Sequence, residues 1–316
     1  MELSFEQAQN IQSIIDYPLE TNTGMVDDLT AQQKQFLEDN GYVVIENVID
    51  PQQCSNSIQA ICDFLEVSLS DPSTWYKDKP LNSIGLVPLH QHPAFWDVRQ
   101  NPKLYSAFSR LLDETNLWVT MDRASFRPPC RYDLPTYGND ENPIHWDYDF
   151  RKKSQSLYQG LIYLSDTNKQ QGAFSCVPSV YQQIKAGTFE HMDSLDQFHS
   201  KGLFLKDVMP FSKDDIVAVD APAGSLIVWD ARLPHGCVSN HYHQPRFVQF
   251  VSMFKAEDQE SVPVEIIQDR HERVECFQTM RAPECHRNLR GQVDPEPYDQ
   301  PKLTALGRKL VGINSW

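Results

Sequence analysis

The order in which pattern types follow one another constrains this chain most. Helical signals crowd the first third. Thr30 can cap a helix through Gln33, and Phe36 and Leu37 lead to a stop at Asn40-Gly41. Tyr42-Val43-Val44-Ile45 reads as a short strand. Asp50-Pro51 opens a helix carrying Ile58, Ile61, Cys62 and Leu65 at helical spacing, and another runs from about Pro102 to Leu112. From Leu117 the character changes. Leu117–Phe126 alternates, with Met121, Arg123 and Ser125 on one face, and residues 127–144 form a Pro/Asn/Asp-rich loop. Strand-like runs follow at 157–164, 173–177, 215–219, 225–230 and 246–254, separated by turns such as Lys169–Gly172 and Ala221–Gly224. Helices first and then short strands with no helix between them exclude a doubly wound parallel sheet. The expected fold is mainly β with flanking helices, a sandwich or jelly roll. A last helix is expected near Leu303–Leu310.

Composition narrows the function classes. The 316 residues carry a net charge of −15, which both nucleic acid and an anionic membrane surface would repel. Nine of those charges fall in residues 1–50. We therefore expect an acidic arm over 1–24, a core over 25–256 and a C-terminal extension over 257–316 packing on it. The seven cysteines are odd in number and scattered, with no C-x-x-C pair, so neither a disulfide framework nor a thiolate zinc site is expected. The start lacks a basic region followed by an apolar one, and no window approaches 18 apolar residues. The expectation is a reduced, cytoplasmic protein, monomeric or homodimeric, acting on a small molecule without nucleic-acid or membrane partners.

The strongest chemical signal is Pro143-Ile144-His145-Trp146-Asp147. Residues two apart on a strand point to one side, so His145 and Asp147 can reach a common point. An imidazole nitrogen and a carboxylate oxygen suit a borderline divalent metal, and two histidines with one carboxylate form the non-haem iron(II) oxygenase pattern. A lone H-x-D is weak, since most histidines are ordinary core or surface residues. Context strengthens it here: the strand Gly224–Asp230 leads to His235-Gly236, and Arg246 opens the next strand eleven residues later.

With these residues in place, the chain resembles the phytanoyl-CoA dioxygenase family of iron(II)/2-oxoglutarate oxygenases, from Phe36-Leu37-Glu38-Asp39-Asn40-Gly41-Tyr42 to about Lys255. Phe126-Arg127-Pro128-Pro129, Tyr163-Leu164-Ser165-Asp166-Thr167 and Leu303–Arg308 also match. The resemblance implies a double-stranded β-helix, with His145, Asp147 and His235 as metal ligands and catalytic centre. Arg246 would pair with the distal carboxylate of 2-oxoglutarate. Fe(II), 2-oxoglutarate and O2 are the implied cofactor and cosubstrates, with oxidative decarboxylation to succinate and CO2 driving hydroxylation of an unactivated C–H. Asp147 argues against halogenation, because halogenases of this fold lack the carboxylate. Pro178-Ser179-Val180-Tyr181 stands where many relatives have Pro-Gly-Ser-His.

Further cofactor contacts are expected from Ser125, Arg123, Gln159 and Cys237, the last two residues beyond His235. Trp146, Tyr148, Phe150 and Arg127 flank the ligands as substrate-wall candidates, with core packing as the rival for the aromatics. His90 borders the expected pocket. His241 with His243, and His271, Cys276, Cys285 and His286, fit no tight metal spacing. Coenzyme A is polyanionic and no basic cluster is present, so a natural product such as an alkaloid or amino-acid derivative is favoured, in the manner of cylindrospermopsin hydroxylase. An acyl-CoA substrate, a non-catalytic ligand-binding β-sandwich and a zinc-dependent cupin-type isomerase or hydrolase are the alternatives.

Overall fold

A computed structural model describes residues 29–76, 85–134, 142–150, 157–189, 203–209, 211–257, 269–286 and 299–316. The expected acidic arm lies outside them. Both capped helices form where the sequence places them. In α1 (Ala31–Asn40), Thr30 and Gln33 make a reciprocal capping box and Gly41 closes the C-terminus in the left-handed region. In α2 (Pro51–Leu65), Asp50 and Gln53 repeat the box with proline in the first turn. A helix not expected from the sequence, α3 (Pro93–Arg99), starts at His92, whose side chain accepts from the Ala94 N–H. It leads into α4 (Pro102–Leu112), capped by Asn101.

Two antiparallel sheets form a double-stranded β-helix. The six-stranded sheet runs β1 (Tyr42–Ile45), β10 (Leu226–Asp230), β6 (Tyr158–Tyr163), β12 (Arg246–Phe250), β4 (Ala124–Arg127) and β2 (Leu86–Val87). The five-stranded sheet runs β8 (Leu203–Phe204), β5 (Asn142–Trp146), β11 (His235–Cys237), β7 (Phe174–Cys176) and β9 (Val217–Ala218). Alternation divides the larger sheet cleanly. Val43, Ile162, Val228, Phe126 and Phe247 pack outward with Ile61, Phe95, Leu104 and Phe108 from the helices. Leu161, Tyr163, Ile227, Trp229 and Val248 point inward onto Phe174 and Cys176 of the smaller sheet. With both faces covered, β10 is buried at every position, which explains its unbroken apolar run Leu226–Trp229. The turn before it needs Gly224: φ is +81° and an added Cβ would lie 2.4 Å from the Ile49 carbonyl oxygen.

Three expectations are corrected. The run Leu117–Phe126 is two strands, as is 246–254: β3 (Leu117–Val119) pairs with β13 (Met253–Lys255) in a separate ribbon. At the break, side chains replace ladder partners. The Ser252 hydroxyl accepts from the Gly160 N–H and the Thr120 hydroxyl from the Ser252 N–H. Helices also interrupt the strand series, at α5 (Pro178–Lys185) and α6 (Leu205–Val208). Beyond residue 257, α7 (Arg270–Gln278) and α8 (Ala305–Val311) place Cys276, Phe277, Leu310 and Val311 in the same core cluster as Phe95 and Phe108 of the helical side. The buried Arg273 guanidinium donates to the Val119, Leu310 and Val311 carbonyls and stacks over Trp118. The six described cysteines with an assigned state are free thiols. Among the described residues, no helix is long and apolar enough to cross a membrane.

Candidate metal centre

The smaller sheet sets two of the three expected ligands side by side. His145 near the end of β5 and His235 at the start of β11 are direct register partners, with ring centroids 4.9 Å apart. Each ring is aimed by its own chain: Nδ1 of His145 lies 2.8 Å from the Pro143 carbonyl oxygen, and Nδ1 of His235 lies 3.0 Å from that of Leu233. Donation to those carbonyls fixes the proton on Nδ1 and leaves both Nε2 atoms facing inward, as a metal ligand requires. Asp147 follows just past β5. Its Oδ1 is 3.4 Å from His145 Nε2 and its Oδ2 is 3.2 Å from His235 Nε2. The three donor atoms lie within 4.8 Å of one another, and among the described residues this is the one His/Cys/Asp/Glu group with metal-ligand spacing.

Electrostatics favour a positive charge at this point. The surrounding protein partly desolvates Asp147 and opposes its ionisation, although the side chain keeps some access to solvent, yet the hydrogen bonds and charges of His145 and His235 hold its carboxyl well below the usual carboxylate range. Burial likewise disfavours a charged His145, and Asp147 outweighs it, moving that pKa up. A divalent cation satisfies the same demand. Two imidazoles and a carboxylate are a donor set suited to iron(II), so the residues fit the metal implied by the sequence pattern.

Gln159 of β6 reaches the carboxylate from the opposite sheet. Its Nε2 donates to Asp147 Oδ2 at 2.6 Å, and its Oε1 accepts from Trp229 Nε1 at 3.1 Å. Trp229 also packs against the His235 ring, with centroids 4.9 Å apart. Gln159 thus engages a ligand residue, a contact the sequence alone did not indicate.

Arg246 opens β12 on the larger sheet. Its side chain is buried, donating through Nη1 to the Gly172 carbonyl and through Nη2 to Ser125 Oγ at 3.0 Å. Arg127, also buried, is its direct register partner on β4. Both hydrogen-bond partners of Arg246 named here are neutral groups. Gly172 precedes Cys176, the register partner of His235, by four residues. Cys237 is buried two residues beyond His235.

Other expected residues fall elsewhere. Trp146 alternates with His145 and faces away. It is fully buried, its indole donates to the Arg232 carbonyl, and it packs with Phe150, Ile144 and Val180. The substrate-wall reading of Trp146 and Phe150 is therefore corrected: strand alternation turns them into a separate core. Tyr148 is half-buried beside Asp147 in the chain. The Tyr163 hydroxyl donates to the Val219 carbonyl and accepts from the Phe174 N–H, tying the sheets together. Arg123 pairs with Asp122 at 3.1 Å, near the stacked rings of His90 and His286. Burial pushes the His90 pKa down to about 3 and that of His286 to about 4. Cys276 instead directs its thiol to the Ala282 carbonyl.

The sequence profile of the phytanoyl-CoA dioxygenase (PhyH) family matches residues 37–248. A Dictyostelium discoideum protein whose name assigns it provisionally to phytanoyl-CoA dioxygenase is 27% identical over 277 residues, covering 72% of this chain and 76% of its own. Ava biosynthesis cluster protein O of Aspergillus versicolor is 22% identical over 232 residues, covering 67% and 74%. Among solved structures, GlcNAc Inducible Gene 2 from Candida albicans shares the fold with a TM-score of 0.65 at 16% identity, covering 90% of this chain and 77% of that one. The non-haem alpha-ketoglutarate-dependent epimerase SnoN of nogalamycin biosynthesis reaches 0.50 at 15% identity, covering 71% and 82%.

Proposed function

Because the chain belongs to the phytanoyl-CoA dioxygenase family, we propose that it is an iron(II)/2-oxoglutarate-dependent oxygenase that hydroxylates an unactivated C–H of a small natural product. The observation that carries this reading is the convergence of His145, Asp147 and His235, with buried Arg246 in the same inter-sheet space. The balanced reaction consumes substrate, 2-oxoglutarate and O2 and yields hydroxylated substrate, succinate and CO2. Bound iron would supply O2 activation coupled to loss of that CO2.

The protein's own residues hold and orient the reactants. His145, Asp147 and His235 would hold iron(II) on one side, leaving the opposite side for exchangeable ligands. Arg246 would grip the distal carboxylate of 2-oxoglutarate with the planar fork of its guanidinium, and Ser125 holds that fork in place. Trp229, Phe174 and Phe204 flank the histidine rings as an apolar lining. Arg127 would add a second positive charge at the cosubstrate end, and Cys237 would contact the cosubstrate. A substrate of alkaloid or amino-acid type is supported by the net charge of −15, which disfavours a polyanionic acyl-CoA, and by a relative named for a biosynthesis cluster.

The test is a substrate screen following succinate formation with iron(II), 2-oxoglutarate and ascorbate. Substrate-dependent succinate with a product heavier by one oxygen is expected. Turnover that persists in Asp147→Ala, or that needs zinc in place of iron, would overturn the proposal.

A further inference from the structure

The two histidine ligands are each anchored by a carbonyl two residues upstream, whereas Asp147 lies beyond the end of β5 with about two-fifths of its side chain accessible. The carboxylate is anchored from the other sheet. Gln159 and Trp229 are register partners on β6 and β10, and the chain Trp229 Nε1–H to Gln159 Oε1, then Gln159 Nε2–H to Asp147 Oδ2, is continuous at 3.1 and 2.6 Å.

The direction of this relay is forced by its end groups. An indole N–H only donates and an ionised carboxylate only accepts, so the amide between them has one possible orientation. Glutamate there would accept from Trp229 but repel Asp147. Leucine would break both bonds, and asparagine lacks one methylene of reach.

Resting on the metal-centre reading above, we propose that Gln159 is a positioning residue. It holds Asp147 Oδ2 so that the carboxylate presents Oδ1 as a one-oxygen ligand, and Trp229 fixes Gln159 in that role. Trp229 also supports the His235 ring, so one side chain coordinates the placement of two ligands from the opposite sheet. Gln159 thereby acts on the metal through Asp147.

Anaerobic calorimetric titration with cobalt(II) alone, together with the visible absorption of the bound cobalt, tests this on full-length wild type, Gln159→Leu, Gln159→Glu, Trp229→Phe and the double Gln159→Leu/Trp229→Phe protein. Removing a group that orients a ligand typically weakens metal binding by about 10- to 100-fold. We expect such a loss in Gln159→Leu and in Gln159→Glu, with a changed cobalt spectrum and an unchanged circular dichroism spectrum. Trp229→Phe should lose less. The double variant should lose less than the product of the two single losses, because the relay is already cut and only the His235 packing is left to change; loss through His235 packing alone would instead multiply fully. Wild-type affinity and spectrum in both Gln159 variants, or independent losses in the double variant, would overturn the relay. Absence of cobalt binding in wild type would overturn the metal-centre reading itself.

Discussion

Replacing Arg246 by lysine isolates the fork from the charge. The guanidinium has five N–H donors, and Gly172 and Ser125 take two of them, so at most three remain for a carboxylate. Lysine keeps the positive charge but has only three donors and no planar pair. Holding Ser125 and Gly172 would then compete with holding the cosubstrate. Loss of one charge-assisted hydrogen bond to the distal carboxylate costs about 1.5–3 kcal/mol. At about 1.4 kcal/mol per tenfold, the KM for 2-oxoglutarate should rise roughly 10- to 100-fold. Succinate formation against 2-oxoglutarate concentration at saturating iron measures this, with metal affinity as the control, since Arg246 is not among the three converging ligands. A KM within threefold of wild type, in a folded protein with normal metal binding, would refute the assignment of Arg246 to the cosubstrate.

Other consequences are checked by stability and pH. Tyr163→Phe removes a buried hydroxyl that serves Val219 and Phe174, and should cost about 1–3 kcal/mol in urea unfolding. Arg273→Met deletes the bonds to three carbonyls that hold α7 against α8 and β3. It should destabilise the fold by roughly 3–5 kcal/mol and speed amide exchange in α8. The pH prediction follows from His90 and His286, held neutral with pKa values near 3 and 4 against an ordinary 6.5. Depressed folded values mean that the unfolded chain takes up protons first as pH falls. Their contribution is therefore complete above pH 6.5 and lost from there down through about pH 4 for His286 and about pH 3 for His90. Urea midpoints should fall over that window and fall less in His286→Phe; equal slopes in the two proteins would contradict the account.

The parts of this fold that were legible in the sequence are those with a local code. Thr30 with Gln33 and Asp50 with Gln53 write their own helix starts. His145 and Asp147 are readable because two-residue spacing is a strand-face rule. What escaped was set by distant partners. β2 and β8 are two residues long, too short to show a period. The split of 246–254 depends on Thr120 meeting Ser252 across the sheet. Chain proximity made Trp146 look like a pocket wall, although the rule that pairs His145 with Asp147 turns Trp146 the other way. α3 had a visible signal in His92-Pro93, a cap followed by proline in the first turn. Gln159 was readable as a residue on the site-facing side of its strand, but its bond to Asp147 was not, since that needs the register of β6 against β10 and the approach of β5 from the other sheet.

One measurement bears most directly on the convergence of His145, Asp147 and His235. Iron(II) and 2-oxoglutarate added anaerobically to the protein should produce a metal-to-ligand charge-transfer absorption band that is absent without either component and absent in His235→Ala. A wild-type protein that gives no band with both present, or a His235→Ala protein that gives it undiminished, would contradict the account.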